Sequence, residues 1–402
     1  MNGSSAHAPL DLARLRRDTP GCVTRIHLNN AGASLMPQPV LEAVKAHLDL
    51  EARLGGYEAA DARSDLIADA YRQVEALLGA PTGTVAFVEN ATAAFAQALS
   101  AFPFRRGDVI LTTRNDYVSN QIMYLSLQDR FGVSVERAPD RPEGGVDVQA
   151  MGELIHRRRP RLVAMSHVPT SSGLVQEAAT VGQACAERTV PFLLDACQSV
   201  GQMPVRVDEI PCTFLAATAR KFLRGPRGSG FLYVAPEALE EGLTPLFPDL
   251  RGSDWIEADL VQPAPDARRF ENWEFAWALV LGTGEAARYA RDIGLEAIRT
   301  RAWELADRLR GLLGDVPGVR VLDRGEPLCA IVTLDAQGAD PEVLVRRLRE
   351  LGVNTSAVGR SSAVLDFDDK GIEGALRLSP HYFNTERELE GAVATLQKVL
   401  ER

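Results

Sequence analysis

Residues 191–234 read PFLLDACQSVGQMPVRVDEIPCTFLAATARKFLRGPRGSGFLYV. Three apolar runs, FLL, TFLAA and GFLYV, are separated by polar turns that carry Asp195 and Lys221. The first two lack polar alternation, which predicts strands covered on both faces, as in a parallel or mixed sheet under helices. Upstream the same grammar recurs in TVAFVEN (84–90), DVILTT (108–113), VSVERAP (133–139) and RLVAMSHV (161–168). Helical stretches fall between most of them. Asn90 is placed to cap a helix over 91–102, another is predicted over 118–130, and Ile67, Ala70, Tyr71, Val74, Leu77 and Leu78 form a stripe ended by Gly79 and Pro81. Strands alternating with helices give an α/β domain.

Downstream, 240–270 reads as irregular and 271–313 as one long helical stretch. Strands near 318–334, a helix near 341–351 and the tail 375–401 read as a smaller α+β unit. The expected division is a large α/β domain over 31–266 and a small α+β domain from 1–30 and 267–402.

Composition removes several classes of function. With 44 Lys plus Arg against 54 Asp plus Glu, the formal charge is −10, a poor match for a nucleic-acid backbone. No apolar run approaches the roughly 18 residues of a membrane span, and residues 1–21 lack the apolar core of a secretory signal. The five cysteines, Cys22, Cys185, Cys197, Cys212 and Cys329, form no C-x-x-C pair, so no metal site is expected and a reducing, cytoplasmic setting is the default.

In an open α/β sheet ligands bind beyond the carboxyl ends of the strands. The residues that follow the strands are Asn90–Thr92, Arg114–Tyr117, His167, Asp195 and Thr218–Lys221. Helix amides with Thr92, Thr218 and Arg220 suit a phosphate. Tyr117 suits the face of a flat ring. A buried carboxylate keeps a ring nitrogen protonated. A desolvated lysine among cations attacks a carbonyl as a free amine. Together these are the roles of a pyridoxal 5'-phosphate site.

On these residues the chain resembles the class V aminotransferase/cysteine desulfurase family. TARKFLRGPRGSGFLYV (218–234) is similar to its lysine signature and LLDACQSVGQ (193–202) to its Asp-x-x-Gln segment. LNNAGAS (28–34), ENATAAF (89–95), SHVPTSSG (166–173) and LRLSPHYFNTEREL (376–389) follow in the family's order, so the resemblance spans about 25–400. It implies the fold of type I pyridoxal-phosphate transferases, with a mostly parallel sheet in the large domain and a smaller α+β C-terminal domain. It also implies a homodimer and an α-amino acid substrate. Lys221 would bond the cofactor aldehyde and move the α-proton, with Asp195 on the ring nitrogen and Gln198 on the phenolic oxygen. Ala91, Thr92, Thr218 and Arg220 would hold the phosphate, and Tyr117 would stack. Arg377 would clamp the substrate carboxylate, and Asn30, Ala31 and Gly32 would line the substrate side. Arg220 stands where many members have His.

Two departures stand out. SAVGRSSAVLDF (356–367) has Ser361 and Ser362 but no cysteine where desulfurases carry a persulfide-forming thiol. Serine cannot replace a thiol in that step. Trp273 and Glu274 replace a Gly-Thr whose hydroxyl in many members reaches the partner's phosphate.

Plainer readings stand beside several of these residues. His167 is either a catalytic residue or a satisfied strand-end histidine. Arg224 and Arg227 are read as solvated rather than as ligands. Cys197, by strand alternation, is read as core facing away from the site. GTGEAA (282–287) lies inside a helical stretch with no preceding strand, against a dinucleotide site. Trp273 and Trp277 are read as one helix face packed in the core. Side-chain recognition is expected from loops at 28–36, 52–60 and 250–275.

The expected activity is C–S lysis of a cysteine conjugate or its sulfoxide, because LGGYEAAD (54–61) and RKFLRGPRG (220–228) look similar to segments of hercynylcysteine sulfoxide lyases. Epimerisation, as in isopenicillin N epimerase-like enzymes, and transamination are the alternatives. A persulfide-forming desulfurase ranks behind them on the missing cysteine. A non-catalytic binding protein ranks last, because the lysine motif is intact.

Overall fold

The computed structural model describes residues 10–401. Residues 1–9, which belong to the stretch read for a secretory signal and to the expected small domain, lie outside the described residues, as does Arg402.

The chain enters through α1 (Leu12–Arg17), β1 (Ile26–His27), α2 (Gln38–Leu54), α3 (Gly56–Ala62) and α4 (Ser64–Leu78). The stripe seen in the sequence is the buried face of α4, and Gly79 ends that helix in the left-handed conformation (φ 63°). Residues 52–60, expected as loop, belong mostly to α2 and α3.

The central sheet follows, alternating with helices: β2 (Val85–Val88), α5 (Ala91–Ser100), β3 (Val109–Thr112), α6 (Val118–Phe131), β4 (Ser134–Arg137), α7 (Val148–Arg158), β5 (Leu162–Ser166), α8 (Ala178–Ala186), β6 (Phe192–Asp195), β7 (Phe214–Thr218) and β8 (Gly230–Val234). Seven strands run in the order β2-β8-β7-β6-β5-β3-β4. β8 pairs antiparallel with both neighbours and every other pair is parallel. Every residue of β5, β6, β7 and β8 is buried, as runs without alternation require. Chain order reverses between β3 and β5, so the carboxyl ends of the strands open there into a crevice.

After α9 (Pro236–Glu240), the region read as irregular contains an antiparallel hairpin, β9 (Ser253–Glu257) with β10 (Leu260–Pro263). The long helix expected over 271–313 is two helices, α10 (Trp277–Ile293) and α11 (Leu295–Gly314). They are broken at Gly294, whose φ of 92° no helix accommodates. Trp273 therefore stands before α10, half-exposed, and shares no helix face with Trp277. GTGEAA lies within α10, as expected. A Cβ on Gly284 would come within 2.5 Å of Ala70 of α4, and one on Gly282 within 2.5 Å of Val44 of α2. These glycines permit close helix packing and bind no phosphate.

The chain closes with β11 (Val319–Val321), β12 (Val332–Ala336), α12 (Pro341–Glu350), β13 (Val353–Asn354), β14 (Ser356–Gly359), α13 (Val364–Lys370), β15 (Gly374–Leu378) and α14 (Glu386–Leu400). β11, β12, β15 and β14 form an antiparallel sheet in that order, and β1 pairs with β13. Two main cores result. The larger one includes Val280, Ala286, Ala287 and Ala290 of α10 as well as Ile298 of α11. The second begins on α11 at Ala302 and gathers Leu28 and Ala31 from the N-terminal segment. The change of core thus falls inside α11, some thirty residues beyond the boundary expected at 266/267.

Candidate active site

Five strand ends build one cavity of about 410 Å³. β6 ends at Asp195, which is buried. Cys197 N donates to Asp195 Oδ1 at 3.0 Å and Asn120 Nδ2 donates to Oδ2 at 3.1 Å, so both carboxylate oxygens are held. β7 ends at Thr218 and turns through Ala219 and Arg220 to Lys221, fixed by Ala219 N to Ser229 O at 3.1 Å and Arg224 N to Lys221 O at 2.9 Å. Gly201 lies under that turn with φ 92°, and a Cβ there would sit 2.3 Å from Leu223 N. Only glycine lets the 196–202 turn pass beneath the lysine loop.

Lys221 is buried. Burial lowers its ammonium pKa, Arg220 and Arg377 push the same way, and Cys197 and Asp195 partly offset them. Its Nζ lies 5.9 Å from the centre of the Tyr117 ring. α5 begins beside this site. Asn90 caps Ala93 N at 2.9 Å, and Ala91 and Thr92, whose amides have no helix carbonyl to bond, both line the cavity. Arg220 lines it too, with Nη1 donating to Gly32 O. Burial, with Arg227 nearby, lowers its pKa.

Gln198 Nε2 donates to Ala31 O (3.2 Å) and Thr170 Oγ1 (3.3 Å), while its Oε1 is buried without a partner. Thr170 also accepts from Arg377, whose Nη1 reaches Thr170 Oγ1 at 2.7 Å and Thr170 O at 2.9 Å. Arg377 Nε donates to Ser356 Oγ at 3.1 Å. None of these partners is a carboxylate. Burial and then Arg220 bring the Arg377 pKa down to about 10, so at neutral pH it is a cation well suited to bind an anion.

The structure thus gathers Ala91, Thr92, Tyr117, Asp195, Gln198, Thr218, Arg220 and Lys221 at one cavity, with Ala31 and Arg377 one hydrogen bond away. Two expected site residues are turned elsewhere. His167 does not line the cavity; its Nδ1 meets Ser199 Oγ at 3.1 Å, and burial lowers its pKa to about 4. The Asn30 side chain fixes its own loop, donating to Ser379 O at 2.7 Å and accepting from Ser34 Oγ at 2.6 Å.

Cys197, read as core facing away, lines the cavity. The strand ends at Asp195, and Val200 N to Ala196 O (3.0 Å) closes a helical turn, so strand alternation no longer governs residue 197. Burial and Asp195 hold its thiol well above the usual pKa, hence protonated. Arg224, read as solvated, is fully buried, whereas Arg227 is exposed. Asn120, Ser166, Val168 and Thr170 also line the cavity. Sequence reasoning missed them as site residues, although Ser166, Val168 and Thr170 fall inside SHVPTSSG.

A cavity holding a fixed carboxylate, a lysine of lowered pKa, a helix N-terminus with Thr and Arg, and an unpartnered buried amide oxygen suits a flat, phosphorylated aldehyde with a protonatable ring nitrogen. Among the described residues no group of His, Cys, Asp and Glu is arranged to hold a metal, and no helix is long and apolar enough to cross a membrane.

Comparison with known proteins agrees with this architecture. The model of the family described as aminotransferase class-V matches residues 26–391. A probable hercynylcysteine sulfoxide lyase of Mycobacterium tuberculosis is 30% identical over 400 residues, covering 98% of this chain and 96% of the relative. A probable cysteine desulfurase of Methanothermobacter thermautotrophicus is 25% identical, covering 96% and 97%. Among solved structures, the apo cysteine desulfurase of Thermococcus onnurineus NA1 superposes with a TM-score of 0.89 at 24% identity, covering 98% of this chain and 99% of that one. The cystine C–S lyase C-DES, solved with its product cysteine persulfide, gives 0.84 at 22% identity, covering 94% and 99%.

Proposed function

Because the chain belongs to the aminotransferase class-V family and is a pyridoxal-phosphate enzyme, we propose that it is a C–S lyase acting on a cysteine conjugate or its sulfoxide. The observation that carries this choice is where the thiols lie. Cys22, Cys185, Cys212 and Cys329 are buried and Cys197 lines the cavity behind Asp195, while the β14–α13 segment carries none. A thiol that takes sulfur from substrate and passes it on must be mobile and ionisable. The 30% identical relative named as a sulfoxide lyase supports the same choice.

Pyridoxal phosphate supplies an aldehyde carbon for the substrate amine and a cationic ring that accepts the electron pair left at Cα. This chain's residues do the rest. The amides of Ala91 and Thr92, with Thr218 and Arg220, would hold the phosphate. Asp195 would accept a hydrogen bond from the protonated ring nitrogen, Gln198 would stand beside the phenolic oxygen and Tyr117 would cover one ring face. Arg377, steadied by Thr170 and Ser356, clamps the substrate carboxylate and so orients the Cα–H bond. Lys221, with its lowered pKa, takes the Cα proton on Nζ. Removal of that proton would let the Cα electron pair form a Cα=Cβ bond as the Cβ–S bond breaks and sulfur leaves with its bonding pair, and the enamine released would hydrolyse to pyruvate and ammonia. His167, neutral and turned to Ser199, orders the strand end and transfers no proton.

We place the enzyme in the cytoplasm as a homodimer; large apolar side chains at Phe247, Leu250, Trp255 and Val261 are exposed in one chain stretch. Purified protein loaded with pyridoxal phosphate and given cysteine, cysteine conjugates and their sulfoxides is expected to release pyruvate. Lys221→Ala should abolish both the release and the visible band that borohydride removes. Deuterium entering Cα of recovered substrate without pyruvate would assign epimerisation instead. Sulfane sulfur without pyruvate would assign desulfuration.

A further inference from the structure

Behind the cavity, outside its lining, lies a second buried carboxylate, Asp116, at the start of α6. Its Oδ1 accepts from Ser166 Oγ (2.7 Å), Tyr117 N (2.8 Å) and Asn120 Nδ2 (3.2 Å). Its Oδ2 accepts from Gln121 Nε2 (3.1 Å) and Thr112 Oγ1 (3.2 Å). Three of these five partners are amide N–H groups, which can only donate. Burial first, and the nearby Asp195 charge, raise its pKa, while the donors on both oxygens oppose that shift and favour the carboxylate. Arg137 of β4 adds positive charge at one remove, with Nε and Nη2 on Gln121 Oε1 at 3.0 and 2.7 Å.

The second hydrogen of Asn120 Nδ2 points to Asp195 Oδ2 at 3.1 Å. One amide group therefore bridges two carboxylates. Asp116 orients Asn120, and Asn120 orients Asp195. The same Asp116 fixes Tyr117 N, so the partner of the ring nitrogen and the cover of the ring face share one anchor.

We propose that Asp116 is a positioning residue that, through Asn120 and its own charge, keeps the cofactor's ring nitrogen protonated to higher pH. The inference rests on Asp195 being the ring-nitrogen partner. A negative charge one amide away from Asp195 raises the proton affinity of the nitrogen–carboxylate pair. The hydrogen bond from Asn120 occupies a lone pair of Asp195 Oδ2 and favours the carboxylate form, so the shared proton stays on nitrogen. The other titratable groups around Asp116 are Asp195 at the end of β6 and the Tyr124 phenol of α6, which burial and Asp116 keep protonated. Cys197 and Lys221 interact with Asp195 rather than with Asp116.

The test is ¹⁵N NMR of holoenzyme loaded with pyridoxal phosphate labelled at the ring nitrogen, titrated with base. Wild type should hold the pyridinium resonance well above neutrality. In Asp116→Asn the change to the neutral-pyridine position should come about one pH unit earlier. Asn120→Ser, which keeps both carboxylates and cuts the bridge, should shift the resonance the same way and decides the matter alone if Asp116→Asn does not fold. Wild-type titration in the folded variants would overturn the proposal. Asp195→Asn separates the two readings. If it too leaves the resonance unmoved, Asp195 is not the ring-nitrogen partner; if it alone moves it, only the role of Asp116 falls.

Discussion

Among the described residues Arg224 has no carboxylate partner. Its guanidinium donates to Leu35 O (2.8 Å), Thr19 Oγ1 (2.7 Å) and the Tyr382 hydroxyl, and it lies 4.4 Å from the centre of the Phe383 ring. It ties the N-terminal segment and the C-terminal domain to the loop that carries Lys221. A planar fork can serve three divergent acceptors, but an ammonium cannot. Arg224→Lys should therefore leave two buried acceptors unmatched and cost about 3 kcal/mol, read as a lower urea midpoint. Its composition gave no warning, because a loop arginine among glycines is usually solvated. Lys221 and Asp195 were legible as cavity-lining residues because each stands at or just after a strand end, and Gln198 because it falls in the Asp-x-x-Gln segment of the resemblance. Cys197 was misread because a period-two rule was carried one turn past the strand's end. Asn120 was invisible: its place comes from a side chain of α6 reaching the end of β6, and nothing local to residues 118–122 announces a partner seventy-five residues away.

Elements with strong periodicity or punctuation were legible as elements. α4 shows its stripe and α5 its Asn90 cap. α14 is closed at its start by a reciprocal pair, with Glu388 N donating to Thr385 Oγ1 at 3.2 Å and Thr385 N donating to Glu388 Oε2 at 2.9 Å. Thr385→Ala should cost about 1 kcal/mol in the same urea assay and leave cofactor binding intact. The break at Gly294 went unread because apolar residues continue in helical register on both sides of it. The β9–β10 hairpin went unread because its turn carries neither Asn-Gly nor Asp-Gly. Packing at the start of α5 yields a contrasting prediction. A Cβ on Gly230 would stand 2.7 Å from Ala217 O and 3.0 Å from Ala91 N. Gly230→Val should displace the α5 amides from the place proposed for the phosphate, weakening pyridoxal phosphate binding by roughly tenfold in a fluorescence titration.

Across the whole molecule, the two cores meet where buried histidines cluster. His27 of β1 accepts from Asn354 and approaches Ala33 O, and His381 Nε2 meets Phe222 O at 2.8 Å, beside Lys221. Burial lowers His27 to about 4 and His381 to about 3, with Arg224 adding to both. The unfolded chain titrates histidine near 6.5, so below that pH the unfolded state binds protons the folded state refuses. Each such histidine therefore supports folding at neutral pH, and that support is lost as pH falls from about 6.5 toward the folded value. Glu271 and Asp140 act oppositely: burial raises both to about 6, so the folded state takes up protons there first and gains stability as pH falls. Opposing contributions flatten the wild-type profile between pH 6.5 and 4.5, and a single variant must be used to expose one of them. His381→Gln cannot titrate. Whatever it costs at pH 7.5, the gap to wild type should close by about 1.4 kcal/mol for each pH unit below 6.5. Urea midpoints at pH 7.5, 6.5 and 5.5 measure that gap, and a gap that stays constant would mean that His381 takes up its proton in the folded state as readily as in the unfolded chain.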